Sequence, residues 1–94
     1  MLAWGPDFKR GATVRTPTSN VDVTPTLMHL LGQDGAIARM DGRVMLEALA
    51  AGPDPEQVSA TTHVLRVRNG GYRAVLQVTE VAGKRYIDKA WRED

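Results

Sequence analysis

The side chains of this 94-residue chain that can do acid–base, metal or anion chemistry are two histidines, eleven carboxylates and twelve lysines and arginines; there is no cysteine. A hydrolytic metal centre needs several His, Asp or Glu ligands converging on one ion. His29 falls on a predicted helix, opposite its apolar stripe and beside Pro25 and Thr26, with no second ligand one turn on. His63 begins a predicted strand, on its apolar side, near Val78. Asp22 reads as a helix cap, Asp34 and Asp41 precede glycines as turn residues do, and Asp54 and Glu56 lie in a Pro-rich connection. No two carboxylates share a face for acid–base work. Ser19 and Ser59 lack a nucleophile elbow, and the glycines of "NGGYR" form a hairpin turn, not a phosphate loop. The sequence therefore offers no catalytic, metal-ligating or cofactor-binding residue.

Arg66, Arg68 and Arg73 are the one basic constellation, a candidate weak anion-binding face. Arg68 and Arg73 are expected to meet across a turn, where like charges oppose pairing. No aromatic platform accompanies them in the sequence pattern, so a solvated outer face, its repulsion screened by salt, is the preferred reading.

The elements that must position these groups are short. "MLAW" is an apolar run stopped by Gly5-Pro6, which predicts a buried strand with Trp4 in the packing. A polar, turn-rich loop follows. "SNVDVTPTLMHLLG", residues 19–32, predicts a helix: Asp22 or Thr24 as cap, Pro25 in the first turn, and Val23, Leu27, Leu30 and Leu31 as one apolar stripe. Gly32 suits the left-handed residue that closes a helix. After a loop between two Asp-Gly pairs, a second helix is expected over residues 43–50. Val44, Met45, Ala48 and Leu49 would lie on one side of it, and Arg43 and Glu47 on the other.

From residue 62 the period changes from helical to alternating. Turn signals at Asn69-Gly70-Gly71 and Ala82-Gly83 predict a three-stranded antiparallel meander. One face would carry Leu65, Val67, Ala74, Leu76 and Val78, joined by Ile87 and Trp91. The other would carry Arg66, Arg68, Arg73, Gln77, Thr79 and Asp88. A meander with one apolar side needs something to cover it. The expected organisation is α+β: a strand–loop–helix–helix segment over 1–52, a linker over 53–61, and the meander over 62–94.

Composition allows one domain at most, near the lower edge of comfortable size. Net charge is +1, unevenly spread: residues 1–34 balance, 35–58 carry two positive and four negative charges, and 59–94 carry seven positive and four negative. That final excess favours an anionic partner but falls short of a nucleic-acid-binding domain. No run approaches the roughly 18 apolar residues of a membrane span, and the N-terminus lacks a signal-peptide pattern. If the chain is complete as given, it is expected in the cytoplasm; otherwise its compartment is open.

The order of features from Leu2 to Leu49 resembles the C-terminal part of the sulfatase and type I phosphodiesterase/nucleotide pyrophosphatase branch of the alkaline phosphatase superfamily. In that family a strand leads into a W-P-G or G-P-x-F-like turn with a following Lys and Gly. A V-D-x-x-P-T-L-x-x-L-x-G helix and a D-G-x-x-L segment come next. Trp4, Gly5, Pro6, Phe8, Lys9 and Gly11 match the first part; Val21, Asp22, Pro25, Thr26, Leu27, Leu30, Leu31 and Gly32 match the helix; Asp41, Gly42, Leu46 and Leu49 match the last. The likeness covers about half the chain, and the meander looks like the small sheet that closes such domains. "WGPD" departs from the sulfatase W-P-G order and leans towards a phosphodiesterase-like or unassigned branch.

The resemblance implies a helix that packs beside the main sheet of a hydrolase and supports its catalytic centre. The metal-bound nucleophile and the Asp and His ligands would all come earlier in the chain. No residue here matches them, so no catalytic role passes to this sequence. The expectation is a C-terminal fragment of a phosphate- or sulfate-ester hydrolase, inactive alone. Its parent would need a divalent metal such as zinc or calcium, and its partner would be the remainder of that domain. The alternative is a stand-alone, non-enzymatic module that self-associates, since a half-covered meander and an unpaired N-terminal strand leave apolar surface and free backbone. Membrane and nucleic-acid partners are not expected.

Overall fold

The computed structural model describes residues 1–93, and the chain is α+β, with short helices followed by a C-terminal antiparallel meander. It divides into two compact units, Met1–Val58 and Ser59–Asp94. No helix among the described residues is long and apolar enough to cross a membrane.

The first unit is built around the α-helix α1, Val23–Leu30, entered through a 3-10 turn at Asn20–Asp22. Its end is a Schellman closure. Gly32 sits at φ +73°, its N–H donates to the His29 carbonyl at 3.0 Å, and the Gln33 N–H donates to the Met28 carbonyl at 2.8 Å. Gly32 is thus the helix stop that its residue type suggests.

The second helical piece is shorter than the expected 43–50 helix: a 3-10 turn at Leu46–Ala48. Tertiary bonds replace the intrahelical ones. The Arg43 and Met45 N–H groups donate to side chains of the α1 region, and the Leu49 and Gly52 carbonyls accept from Lys9 Nζ. The loop between the two Asp-Gly pairs also winds into a 3-10 turn, Asp34–Arg39.

Two expectations for this unit fail. "MLAW" forms no strand, and Trp4 is 79 % exposed. An apolar run becomes a strand only where another backbone supplies its hydrogen bonds, and among the described residues none pairs with it. The leucine stripe is likewise turned outward. Leu27 and Leu31 are exposed, whereas the buried side of α1 is Pro25 and Thr26, next to a completely buried Asp22. Phe8 and Leu49 make an isolated antiparallel bridge, flanked by Lys9 N–H to the Ala48 carbonyl and Ala50 N–H to the Asp7 carbonyl.

The second unit is one sheet in the order β1 (Thr61–Asn69), β2 (Tyr72–Val81) and β3 (Lys84–Glu93). β1 and β2 are joined by Gly70-Gly71, with Asn69 opposite Tyr72 and Leu65 opposite Leu76. This register keeps Leu65, Val67, Ala74, Leu76 and Val78 on one face, as the alternation requires. β2 and β3 turn at Ala82-Gly83, both at positive φ, as a two-residue hairpin favours.

Two features of the meander depart from expectation. Val78 pairs with Ile87 but Gln77 with Lys89, so Asp88 is an extra residue and β3 carries a bulge. One inserted residue reverses the parity of all that follow. Trp91 therefore lies opposite Val75 on the arginine face, not with Ile87. The burial is largely reversed as well: Val75, Thr79, Val81 and Tyr86 are buried, while on the other face Leu65, Val67 and Ile87 are exposed and Val78 is buried.

Candidate functional site

The most completely satisfied polar constellation in the chain is a clasp in the first unit, assembled from residues far apart in sequence. Asp22, 0 % exposed, accepts from the Ser19 N–H through Oδ2 and from the Arg43 N–H through Oδ1, each at 2.9 Å. It makes no side-chain cap to α1 itself, but its Ser19 contact closes a capping box on the 3-10 turn that leads into α1, and its Arg43 contact adds a longer-range bond. Thr26 Oγ1 donates to the Asp22 carbonyl at 2.7 Å and accepts from the Met45 N–H at 3.0 Å. These bonds staple the helix motif to the D-G-R segment, and Gly42 is what lets them approach. A Cβ at Gly42 would sit 2.0 Å from the Val21 carbonyl oxygen.

Deeper in the clasp, the Arg43 guanidinium grips Glu47 in a two-pronged pair, 2.9 Å from Nη1 to Oε2 and 2.6 Å from Nη2 to Oε1. Arg43 is 7 % exposed and Glu47 1 %, so the charged side of this segment is buried. Nη2 also donates to the Pro17 carbonyl at 3.1 Å, and the Thr16 hydroxyl donates to Glu47 Oε1 at 2.8 Å. Burial alone would push the Glu47 carboxyl up. The Arg43 hydrogen bonds, a backbone hydrogen bond of Glu47 itself, the Thr16 hydroxyl and the guanidinium charge outweigh it and hold the carboxyl below its ordinary 4.5. The i,i+4 spacing of opposite charges was legible in the sequence, but its burial was not.

This clasp is structural chemistry. The guanidinium is committed to Glu47, and Lys9 Nζ caps the carbonyls of Leu49 and Gly52 at 2.5 and 3.1 Å, so neither presents a free cation to a phosphate or sulfate. Asp22, Thr26, Gly42 and Lys9 close this packing or let it close. Beside it lies an open apolar groove of about 490 Å³, lined by Met1, Leu2, Phe8, Val23, Leu27 and Met45 among others.

The histidines stay apart. His29 Nδ1 lies 2.7 Å from Asp34 Oδ1, an exposed dyad in which the ring nitrogen donates to the carboxylate. His63 lies opposite Val78 with its Nε2 3.8 Å from Glu80 Oε2. No three His, Asp or Glu side chains converge among the described residues, so the donors present do not fit a divalent-metal centre.

The arginine face is better furnished than the sequence pattern indicated. Arg68 and Arg73 are directly opposed, and Arg66 Nε is 3.7 Å from Glu93 Oε2. The bulge adds Trp91 to this face, with Lys89 Nζ 5.4 Å from its ring centroid. Asp88 spends its carboxylate within the sheet, accepting from Gln77 Nε2 at 3.3 Å and from the Thr79 hydroxyl. The face therefore sets one cation, Lys89, against a part-exposed indole. Similarity adds no constraint to this geometry: no protein-family model matches the chain, and no curated protein or solved structure matches it either.

Proposed function

We propose that this chain is the C-terminal part of a metal-dependent phosphate- or sulfate-ester hydrolase of the sulfatase/phosphodiesterase kind, and that it does no catalysis by itself. The ordered motif from Trp4 to Leu49 supplies the hydrolase reading. The observation that carries the fragment reading is the inverted burial of the first unit. Its polar clasp is inside, while Val23, Leu27, Met1 and Leu2 line an open apolar groove. An apolar stripe left outside a satisfied polar interior is the surface of an element that packs on another body. In this reading the other body is the main sheet of the hydrolase domain. The clasp fixes the angle at which α1 meets it, and the nucleophile and metal ligands belong to that preceding part. No reaction step runs through a residue of this chain.

The test has two arms. The reading frame upstream of Met1 is expected to continue into a metal-ligand Asp, a D-H-G-like pair and a later His. The longer polypeptide is then expected to hydrolyse aryl phosphate, phosphodiester or aryl sulfate with added divalent metal, and the substrate turned over assigns the branch. A native product of 10.3 kDa beginning at Met1 overturns the fragment reading. Metal-dependent turnover by the 94 residues alone overturns the claim that they lack the active site.

A further inference from the structure

The end of the β1–β2 hairpin holds a chemical combination that neither the clasp nor the arginine face uses. Asn69 closes β1 opposite Tyr72, and Gly70 follows it. An asparagine amide is an electrophile, and the backbone nitrogen of the next residue can reach it through a five-membered ring. That ring closure is held back by a side chain on the next residue, by hydrogen bonds that occupy either group, and by a backbone that cannot bend. All three obstacles are absent at this position. Gly70 has no Cβ and stands at φ +62°, and a Cβ at Gly70 or Gly71 would meet nothing within 4 Å. Residues 69–71 are exposed, at a loop tip where a ladder opens most easily. Among the described residues, neither the Asn69 side chain nor the Gly70 N–H has a hydrogen-bond partner.

Comparable positions elsewhere in the chain are closed. Asn20 lies in a 3-10 turn and precedes Val21, whose branched Cβ crowds the ring. Asp34 is bonded to His29, and a carboxylate is a poorer electrophile than an amide. Asp41 precedes Gly42, which is packed against the Val21 carbonyl.

We infer that Asn69 is a site of spontaneous deamidation in the folded chain. The Gly70 nitrogen loses its proton to hydroxide and attacks Asn69 Cγ. A new C–N bond forms there, the bond from Cγ to the side-chain nitrogen breaks, and that nitrogen leaves as ammonia with a proton from water. Water then opens the succinimide ring. Addition at Cγ restores the main chain and leaves an aspartate. Addition at the main-chain carbonyl gives isoaspartate, whose main chain is one carbon longer. Either product sets a carboxylate next to Arg68, which faces Arg73 across the strands, and lowers the formal net charge of +1 by one. Aspartate keeps the pairing with Tyr72, whereas isoaspartate shifts it out of register. The hairpin tip thus turns the age of the molecule into a change of charge and geometry at one end of the sheet. The inference rests on this turn alone and is independent of the hydrolase reading.

The test is incubation of the folded 94-residue chain in mildly alkaline buffer, followed by charge separation and peptide mapping by mass spectrometry. An acidic species is expected to accumulate, with ammonia lost and water gained at Asn69, while Asn20 keeps its amide. Enzymatic methylation of isoaspartate is expected to label the same peptide. Asn69→Gln is expected to abolish the acidic species, because glutamine must close a larger ring, and the exposure of position 69 leaves the fold intact. Deamidation in urea with none in the folded chain overturns the inference, since the hairpin would then protect Asn69. Conversion of Asn20 as fast as Asn69 overturns it too, as does an acidic species that survives Asn69→Gln.

Discussion

The two units solve the burial problem in opposite ways. In the first, the interior is dominated by Asp22, Thr26, Arg43 and Glu47, with Met45 and Leu49 as its buried hydrophobic residues. Polar groups there are sealed by one another, and large apolar side chains are left outside. In the second, backbone pairing does the sealing. Val75, Val81 and Tyr86 are buried, and the charges lie on exposed side chains where solvent screens them. A satisfied polar interior specifies one geometry but contributes little net free energy. The first unit should therefore respond sharply to the loss of single polar groups, and the sheet should respond weakly to changes of surface charge.

Glu47→Ala is the strongest way to break that contrast. It leaves the Arg43 guanidinium buried without its carboxylate and is expected to cost about 3–5 kcal/mol, enough to unfold the first unit. Replacing the pair together, as Arg43→Met with Glu47→Leu, is expected to restore most of that loss. Urea denaturation read by amide exchange in each unit separates the effects. Equal losses for the single and double variants would mean that the pair itself, rather than an orphaned charge, holds the unit together.

Gly42→Ala comes next. The added methyl has nowhere to go against the Val21 carbonyl, and overpacking of this kind costs about 1–3 kcal/mol. Gly71→Ala in the sheet meets nothing within 4 Å and is the control. Similar melting temperatures for the two variants would remove the claim that the clasp depends on close backbone approach.

Acid should separate the units more gently. The folded Glu47 carboxyl lies below its unfolded value of 4.5. The stability it contributes is therefore fully present above that value and is lost as pH falls through the lower, folded one. Amide protection in the first unit is expected to fall in that acidic window before protection in β2 does. Simultaneous loss in both units would mean that other carboxylates govern acid unfolding.

The smallest expected effect sharpens the other side of the comparison. Arg68→Glu turns the Arg68–Arg73 opposition into an attractive pair and should stabilise the sheet by about 0.2–1 kcal/mol, with the gain fading at high salt. A gain that salt leaves unchanged would point to packing in place of charge.

Local patterns were legible wherever the physics was local. Gly32 as a left-handed stop, the two hairpin turns and the face shared by β1 and β2 follow from residue type and alternation alone. So did the segregation of Leu65 and Val67 from Arg66 and Arg68. The Asp88 bulge escaped because no residue type announces an inserted position, and one such insertion moved Trp91 across the sheet. The clasp escaped for a related reason: its bonds join Thr16 to Glu47 and Asp22 to Arg43, and sequence spacing carries no record of such contacts.

The sequence by itself determined where the meander turns, which residues of β1 and β2 share a face, and that the chain is α+β. Periodicity and turn chemistry act over a few neighbouring residues and need no partner. Only the tertiary structure decided which face is inside. Burial depends on what each face meets, and here hydrogen-bond satisfaction drew the charged pair inward while the leucines of α1 remained outside.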